Sequence, residues 1–206
     1  MADPNPGLFE ILYSCRAMRR LKPDPVPREL LLKLIDAATQ APSGSNLQSA
    51  RWIVAESPEQ KARLAELNRK AVEAYVAPAA GRPEALPHQS ADKRRRMLEA
   101  VLWQKDHLHE APALIVASYE FPAKVTPGDA ARAAGSVWPG VQNLLLAARA
   151  LGLGAAPTTL ALVDRAAAAE VLGLPENVAA YCLVPVGWPM GRFGPVTRLP
   201  VEETVR

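Results

Sequence analysis

The sequence contains few of the residues that stabilise a protein by covalent crosslinks. Its 206 residues include two cysteines, Cys15 and Cys182, which form no C-x-x-C pair. This number is too low for the disulfide framework of a small secreted protein, so we expect a reducing, cytoplasmic compartment. A chain of this length buries roughly 70% of its unfolded surface when it folds, so its core needs no crosslink.

Long apolar runs and an export signal are also missing. The longest apolar stretches, such as residues 141–151, are broken by polar side chains and fall short of the roughly 20 residues that cross a bilayer. The first ten residues carry acids and prolines where a signal peptide would carry lysines and then an apolar run. We therefore expect neither a membrane partner nor export.

Self-contained catalytic motifs are absent as well: there is no G-x-S-x-G, no P-loop and no H-E-x-x-H. His107 and His109 are two residues apart, so on a helix they point to different sides and cannot share a metal. Cys15 lies next to Arg16, but no neighbouring base accompanies it, and we predict an unreactive thiol. The sequence therefore predicts no metal and no protein nucleophile.

Composition and charge limit the classes of partner. The chain is 49% hydrophobic and 22% charged with a net charge of +3, which excludes a mainly disordered protein. This small positive excess is compatible with a nucleic acid, an anionic cofactor or solubility alone. Aromatic residues are 5% of the chain and are not interleaved with the basic residues on one element, so we expect no nucleic-acid partner.

Helix and strand patterns occur in alternation and predict one domain over residues 1–206. Helices are predicted to begin at Pro27, Ser57, Ser136 and Asp164, and strands to span 52–55, 113–118 and 181–186. Pro185 favours an edge strand or a bulge for the last of these. Residues 76–90, rich in proline and alanine, predict a mobile excursion, and residues 187–206 an extended C-terminal arm.

The helix predicted after Ser136 is apolar on both faces. Val141, Leu144 and Ala148 share one face, while Leu146 and Ala150 lie on the other. A helix of this kind is buried on nearly all sides, in the centre of a domain or between subunits. The pattern therefore favours a homodimer, because a monomer would expose one apolar face.

Two further segments are candidates for binding an anion or a planar ligand. Arg16, Arg19, Arg20 and Lys22 are so close that they repel one another unless an anion or solvent relieves them, and a phosphate is the simplest resident. The basic run at 93–96 instead predicts a solvated helix face. The loop at 41–48 offers hydroxyl and amide groups either to an ordinary turn or to the polar edge of a heterocycle.

These motifs and their order resemble the flavin-dependent nitroreductase family. They are C-R-A-M-R-R-L-K-P-D-P-V-P at 15–27, A-P-S-G-S-N-L-Q at 41–48, and V-Q-N-L-L-L-A-A-R-A-L-G-L-G at 141–154. G-W-P at 187–189 and R-L-P at 198–200 fit the same pattern. The resemblance spans almost the whole chain, and the ordered set is more specific than any single motif.

The resemblance implies an α+β fold in which a mainly antiparallel sheet is flanked by helices, and an obligate homodimer. It also implies FMN at the subunit interface, NAD(P)H as electron donor, and a small electron-poor acceptor such as a nitroaromatic or a quinone, reduced in a ping-pong mechanism. Because the redox chemistry then belongs to the flavin, the protein needs no catalytic residue of its own.

By motif position, the resemblance assigns the cofactor-binding residues to four segments. The first motif lies near the flavin phosphate and pyrimidine, the 41–48 loop is lent by the partner subunit, and the backbone after Gly154 approaches flavin N5. The residues so implied are Arg16, Ala17, Arg19 and Arg20; Pro42, Ser43, Gly44, Asn46 and Gln48; Ala156, Pro157 and Thr158; and Arg198 as the C-terminal phosphate arginine. Arg19 and Thr158 are the candidates for tuning the flavin.

Some positions depart from the family pattern. Cys15 and Ala17 stand where many members have arginine and serine, and the segment after Gly154 lacks the acidic residue common in the best-known reductases. Trp138 stands where a small residue is frequent; core packing is the preferred interpretation, and a wall of the substrate pocket is the alternative. Two other functions stay open: the flavin-destroying branch of the family, and a protein that binds FMN or another anion without turnover.

Overall fold

The computed structural model describes residues 7–76 and 86–206. The helices are α1 (Leu8–Ser14), α2 (Arg28–Thr39), α3 (Pro58–Tyr75), α4 (Ala91–His107), α5 (Pro127–Ala133), α6 (Trp138–Ala150) and α7 (Arg165–Leu172). The strands are β1 (Ala50–Ala55), β2 (Ala113–Glu120), β3 (Gly154–Ala155) and β4 (Val178–Gly187). Within the described ranges the strands form one antiparallel sheet in the order β1-β2-β4-β3. The expected α+β fold with an antiparallel sheet is therefore confirmed.

The central strand β2 separates two hydrophobic layers. Ile115 and Ala117 belong to a core formed with α2 and α6, whereas Leu114 and Val116 belong to a core formed with α3 and α7. Both faces of β2 are covered by helices, so its side chains are buried from Ala113 through Tyr119. This two-sided burial explains why the sequence of the strand is a continuous apolar run.

Side-chain caps start two of the helices where the sequence predicts them. The Ser57 hydroxyl accepts a hydrogen bond from the Gln60 amide at 3.2 Å, and the Asp164 carboxylate accepts one from the Ala167 amide at 3.0 Å. The prediction for Ser136 is wrong, because α6 begins two residues later, at Trp138. Ser136 instead lies in a 3-10 turn, and its hydroxyl accepts from the Gly44 amide at 3.0 Å.

Pro185 lies in an interior strand, so its assignment to an edge or a bulge is wrong. β4 runs between β2 and β3, and its bulge falls at Tyr181, between the pairs Ala117↔Cys182 and Ser118↔Ala180. The backbone of Leu183 exchanges two hydrogen bonds with Thr158, so by alternation the nitrogen of Pro185 faces the β3 side as well. The ladder between β3 and β4 is interrupted at this position. The N–H group that proline lacks would therefore have no carbonyl partner there.

The helix α6 is less completely covered than its sequence predicts. Val141, Leu144 and Ala148 are buried against the core, whereas Leu146 and Ala150 on the other face are half-buried.

Most of the segment 76–90, predicted as a mobile excursion, lies outside the described residues. Its described end forms a turn in which Leu86 and Gln89 exchange backbone hydrogen bonds of 2.8 and 2.9 Å.

Gly140 sets the distance between α6 and its neighbours, and a side chain there is expected to destabilise the fold. A Cβ at this position would lie 2.9 Å from the Ala38 carbonyl oxygen and 2.9 Å from Trp52 Cζ2. Gly140→Ala should therefore lower the free energy of unfolding by about 1–3 kcal/mol, measured by urea denaturation at fixed protein concentration. Gly135→Ala is the control, since nothing lies within 4 Å of its Cβ; equal stability of the two variants would contradict this packing.

Candidate functional site

Residues 15–22, which follow α1 and which we call the arginine-rich segment, lie along the edge of the sheet. The Met18 amide donates to the Ala155 carbonyl at 3.1 Å, and the Lys22 amide donates to the Trp188 carbonyl at 2.8 Å. Met18 and Leu21 are buried, and their side chains fill the space where a Cβ on Gly154 would lie, 3.0 and 2.7 Å away respectively. The backbone of this segment is thus fixed to the sheet, while Arg16 and Arg20 remain exposed.

The C-terminal arm folds back over the same region of the chain. The Met190 amide donates to the Arg20 carbonyl at 3.0 Å, and the Val196 amide donates to the Tyr13 carbonyl at 2.9 Å. The Lys93 ammonium donates to the Thr197 hydroxyl at 3.2 Å, which links the arm to α4. Residues 191–200 of the arm form neither helix nor strand, and a short 3-10 turn follows at Val201–Glu203.

The arm, the arginine-rich segment and α4 enclose a cavity of about 700 Å³. This volume is within the range of small-molecule sites in proteins, about 300–1,000 Å³. None of the described residues that line the cavity is acidic, whereas the basic ones are Arg16, Arg19, Arg20, Lys93, Arg96, Arg192 and Arg198. We refer to it below as the cationic cavity.

Within the described part of the chain, the positive charge of the cationic cavity has no carboxylate counterpart. Among the residues that the structure describes, none of these basic side chains is within salt-bridge distance of a carboxylate. Arg19 is half-buried, and burial lowers the pKa of its guanidinium. Clustered cations that repel one another and lose water are stabilised by a bound anion, which makes this cavity the candidate site for an anionic ligand.

Lys93 and Arg96 are exposed, in agreement with the interpretation of residues 93–96 as a solvated face, but that interpretation gave them no place in a binding site. Lys93 and Arg96 are one helical turn apart and both line the cationic cavity. Arg95 points elsewhere and pairs with Asp92 at 2.8 Å and with Glu99 at 3.9 Å. The sequence pattern does not separate them, because the side that faces the cavity is decided by the arm.

Arg192 also lines the cationic cavity and was not predicted. No motif singles it out, and it reaches the site because the arm folds back after Met190. Five predicted residues do line this cavity: Arg16, Ala17, Arg19, Arg20 and Arg198.

The 41–48 loop does not line the cationic cavity of its own chain, and hydrogen bonds within the loop fix its shape. Ser45, Asn46 and Gln48 have φ angles of 51°, 53° and 51°, a conformation that non-glycine residues rarely adopt. The Gln48 amide donates to the Ser43 hydroxyl at 3.1 Å, and the Gln48 side chain donates to Asn46 Oδ1 at 3.2 Å. Pro42 and the tip residue Leu47 are exposed, so the loop presents its polar groups outward.

The predicted residues after β3 are mostly engaged within the chain. Ala156 is buried and Pro157 is exposed. Thr158 exchanges two backbone hydrogen bonds of 2.8 Å with Leu183, and its hydroxyl donates to Asn68 Oδ1 at 3.3 Å. These residues follow directly on Ala155, the partner of Met18, so they lie beside the arginine-rich segment without lining its cavity.

Core packing of Trp138 is wrong, because 40% of this side chain is exposed at the start of α6. The neighbouring Val137 is fully buried in its place. Trp138 does not line the cationic cavity, and its role in a substrate pocket stays a prediction.

Burial disfavours the thiolate form of both cysteines. Burial raises the pKa of Cys15, against the opposing charges of Arg149 and Arg198, and raises that of Cys182 to about 12. The Cys15 thiol donates to the Leu145 carbonyl at 3.6 Å. These values agree with the prediction of an unreactive Cys15.

Comparison with known proteins identifies the family. A family model described as the nitroreductase family matches residues 13–188. The chain belongs to the nitroreductase family. The resemblance inferred from the sequence motifs is thereby confirmed.

Several relatives match this chain over most of both lengths. A protein of Thermus thermophilus named NADH dehydrogenase is 32% identical, over 92% of this chain and 90% of its own. A protein of Thermotoga neapolitana named iodotyrosine deiodinase is 28% identical, over 88% of each chain. The crystal structure of a nitroreductase with bound FMN from Desulfitobacterium hafniense has a TM-score of 0.69 at 22% identity, covering 100% of this chain and 98% of that one. The last of these shows a shared fold.

The described part of this nitroreductase-family chain has neither a cluster of metal ligands nor a helix suited to span a membrane. Within residues 7–76 and 86–206, no three His, Cys, Asp or Glu side chains are grouped so that they could hold a metal ion. Over the same ranges, no helix combines the length and the apolar character that spanning a membrane requires.

Proposed function

We propose that this protein is an FMN-dependent oxidoreductase that takes electrons from NAD(P)H and passes them to a small electron-poor compound. The observation that carries the proposal is the cationic cavity, in which arginines from both ends of the chain converge without a carboxylate partner among the described residues. Membership of the nitroreductase family and the dehydrogenase name of the Thermus thermophilus relative support the same chemistry.

The residues of the cationic cavity fit the phosphate end of FMN. A phosphate monoester carries about two negative charges and three acceptor oxygens, which suit guanidinium donors. Arg198 on the arm and Arg16 on the segment after α1 line the same cavity and have no carboxylate partner among the described residues. We assign the phosphate to these two arginines, with Arg20 at the edge of the group.

Arg19 fits the ring end of FMN. Its guanidinium is half-buried beside the sheet edge, next to Met18, whose amide is bonded to Ala155. A cation held in partly desolvated surroundings interacts strongly with any charge that develops near it. Arg19 therefore favours the more negatively charged, reduced state of the ring.

A second copy of the chain would complete the site. The 41–48 loop holds a strained, outward-facing conformation, and such conformations persist where the surroundings impose them or function requires them. α1 contains no buried residue and exposes Leu8, Phe9 and Tyr13 by 62%, 66% and 65%. Apolar surface of this kind marks an interaction site. We therefore propose a homodimer in which Ser43, Asn46 and Gln48 of one subunit reach the ring held by its partner.

FMN, when bound, supplies the transfer of electrons from the nicotinamide to the acceptor. The chain itself would hold the phosphate through Arg16 and Arg198 and orient the ring through Arg19 and the 41–48 loop of the partner. In this proposal donor and acceptor would use the same exposed face of the flavin, so they would bind in turn with ping-pong kinetics.

The acceptor is a nitroaromatic, a quinone or a similar compound in this proposal. A halogenated tyrosine is a second candidate, because a relative 28% identical over 88% of this chain is named iodotyrosine deiodinase. We assign Trp138 to the acceptor pocket. It is exposed at the start of α6, and nearby Ser136 accepts a hydrogen bond from Gly44 of the 41–48 loop.

The proposal is tested by identifying the cofactor and following its reduction. Protein purified or reconstituted with FMN should release FMN, not FAD, on denaturation, and its absorbance near the flavin maximum should fall on addition of NAD(P)H and return with a nitroaromatic, a quinone or iodotyrosine. A protein that cannot be loaded with FMN overturns the proposal. Bleaching that persists in air, with a colourless product, would instead indicate destruction of the flavin; bound FMN that no nucleotide reduces would indicate a binding protein.

The two arginines assigned to opposite ends of FMN should give different defects. Arg198→Ala should weaken FMN binding by roughly 1.5–3 kcal/mol, since it loses charge-assisted hydrogen bonds, and leave the midpoint potential of bound flavin unchanged. Arg19→Ala should lower the midpoint potential and slow reduction by NAD(P)H at saturating FMN, because the fixed charge beside the ring is gone. Fluorescence titration with FMN and a potentiometric titration measure the two effects.

A matched control for both variants is Arg28→Ala. Arg28 is an exposed arginine on α2 that pairs with Glu56 at 3.0 Å and does not line the cavity. It should change neither affinity nor potential. If Arg19→Ala behaves like Arg28→Ala, the placement of Arg19 at the ring is wrong.

The proposed dimer predicts that α1 is needed for assembly. Phe9→Ser should raise the dimer dissociation constant about tenfold or more and weaken FMN binding with it, because an interface aromatic is lost and the site is shared. Sedimentation velocity over a dilution series measures the assembly. Val163→Ser, an exposed apolar position outside α1 and α6, is the control. A wild-type monomer that retains FMN at low concentration contradicts the dimer.

A further inference from the structure

The cationic cavity carries more positive charge than one FMN phosphate can neutralise. A phosphate monoester brings about two negative charges. Seven basic side chains line the cavity, and none of them has a carboxylate partner among the described residues. Arg16 and Arg198 are sufficient for one phosphate under the proposed function, so the cations on α4 are left without an anionic partner.

The face of α4 that lines the cavity is organised along its length. Lys93, Arg96, Met97 and Ala100 are spaced at i, i+3, i+4 and i+7, so they form a single stripe on the helix. The stripe is cationic at its beginning and apolar toward its end. Such a surface matches a ligand with an anionic group next to a flat apolar group.

The placement of the cations on α4 is not a by-product of a basic helix surface. Arg95, between the two cavity residues in sequence, lies on the solvent side and is neutralised by Asp92 and Glu99. Lys93 and Arg96 lack such partners within the described ranges. Lys93 also lies in the first turn of α4, where the helix dipole disfavours a cation, and a bound anion would relieve this repulsion.

We propose that Lys93 and Arg96 form a second phosphate site, which binds the 2′-phosphate of NADPH and makes NADPH the preferred electron donor. This inference rests on the proposed function, because it concerns the donor of the same site. NADPH and NADH differ only in this phosphate monoester, whose charge and three oxygens suit an ammonium and a guanidinium. Met97 and Ala100, the next residues of the stripe, provide apolar surface for the adjoining adenine.

The selectivity is measured without turnover by calorimetry on the FMN-loaded protein. The probes are adenosine 2′,5′-bisphosphate and adenosine 5′-monophosphate, which differ by the 2′-phosphate. Wild type should bind the bisphosphate at least about tenfold more tightly, and Arg96→Ala should remove most of this difference, consistent with the loss of charge-assisted hydrogen bonds. Arg96→Lys should restore part of it, because the charge remains.

The same variants have a kinetic consequence in the loaded enzyme. Arg96→Ala should raise the KM for NADPH about tenfold and change the KM for NADH less than twofold. Arg95→Ala is the control, since it removes a cation from the same helix without altering the cavity; it should change neither ratio. Lys93→Ala is a less clean test, because Lys93 also holds the arm through Thr197.

The outcomes separate this inference from the proposed function. If the protein holds FMN and is reduced by a nicotinamide nucleotide, but wild type binds the two probes equally, the second phosphate site is wrong and the oxidoreductase stands. If Arg95→Ala lowers the selectivity as much as Arg96→Ala does, the effect is long-range electrostatics and the assigned site is also wrong. Failure to hold FMN overturns the proposed function itself, whatever the probes show.

Discussion

The pairing of the segment after α1 with the edge of the sheet is the constraint on which the site depends. Hydrogen bonds from Met18 to Ala155 and from Lys22 to Trp188 hold a stretch of backbone that has no helical or hairpin partner of its own. The approach is close because Gly154 has no side chain, so Met18 and Leu21 can pack onto the strand. Once these apolar residues are anchored, the arginines between and before them are carried to the surface, where the arm closes over them.

This arrangement concentrates charge at a cost that the rest of the fold must cover. The buried β2 and its two hydrophobic layers provide stability that does not depend on an ion pair, since most of the described salt bridges join exposed side chains, where each contributes little. The cationic cavity subtracts from that stability in the absence of an anion. A ligand that binds only the folded state returns it by mass action, about 2.7 kcal/mol at a hundredfold excess over its dissociation constant. Cofactor and fold are thereby coupled thermodynamically.

Sequence reasoning succeeded where the signal is local and failed where it depends on the path of the chain. The caps at Ser57 and Asp164, the strands and the family motifs could be predicted, because each is set by neighbouring residues. Ser136 and Trp138 were misjudged, since the partner of Ser136 is Gly44, a residue far away in the sequence. Lys93, Arg96 and Arg192 entered the site only because the arm returns across α4, and no periodicity reports such a return. Pro185 is the converse case. Proline does remove a donor from a strand, but here the pairing between β3 and β4 is already interrupted, so an interior strand tolerates it.

The cavity joins residues that are nearly the whole described chain apart, and this separation has a consequence for biosynthesis. Arg16 emerges from the ribosome early, whereas Arg198 emerges after every strand of the described sheet has been made. Domains fold as units once their sequence is available, and contacts between distant residues form late. The nascent chain therefore contains the N-terminal arginines of the cationic cavity long before the arm is available to complete the cavity. Capture of a tightly held cofactor belongs to the period after translation, and the arm is the last part of the protein to commit to its place.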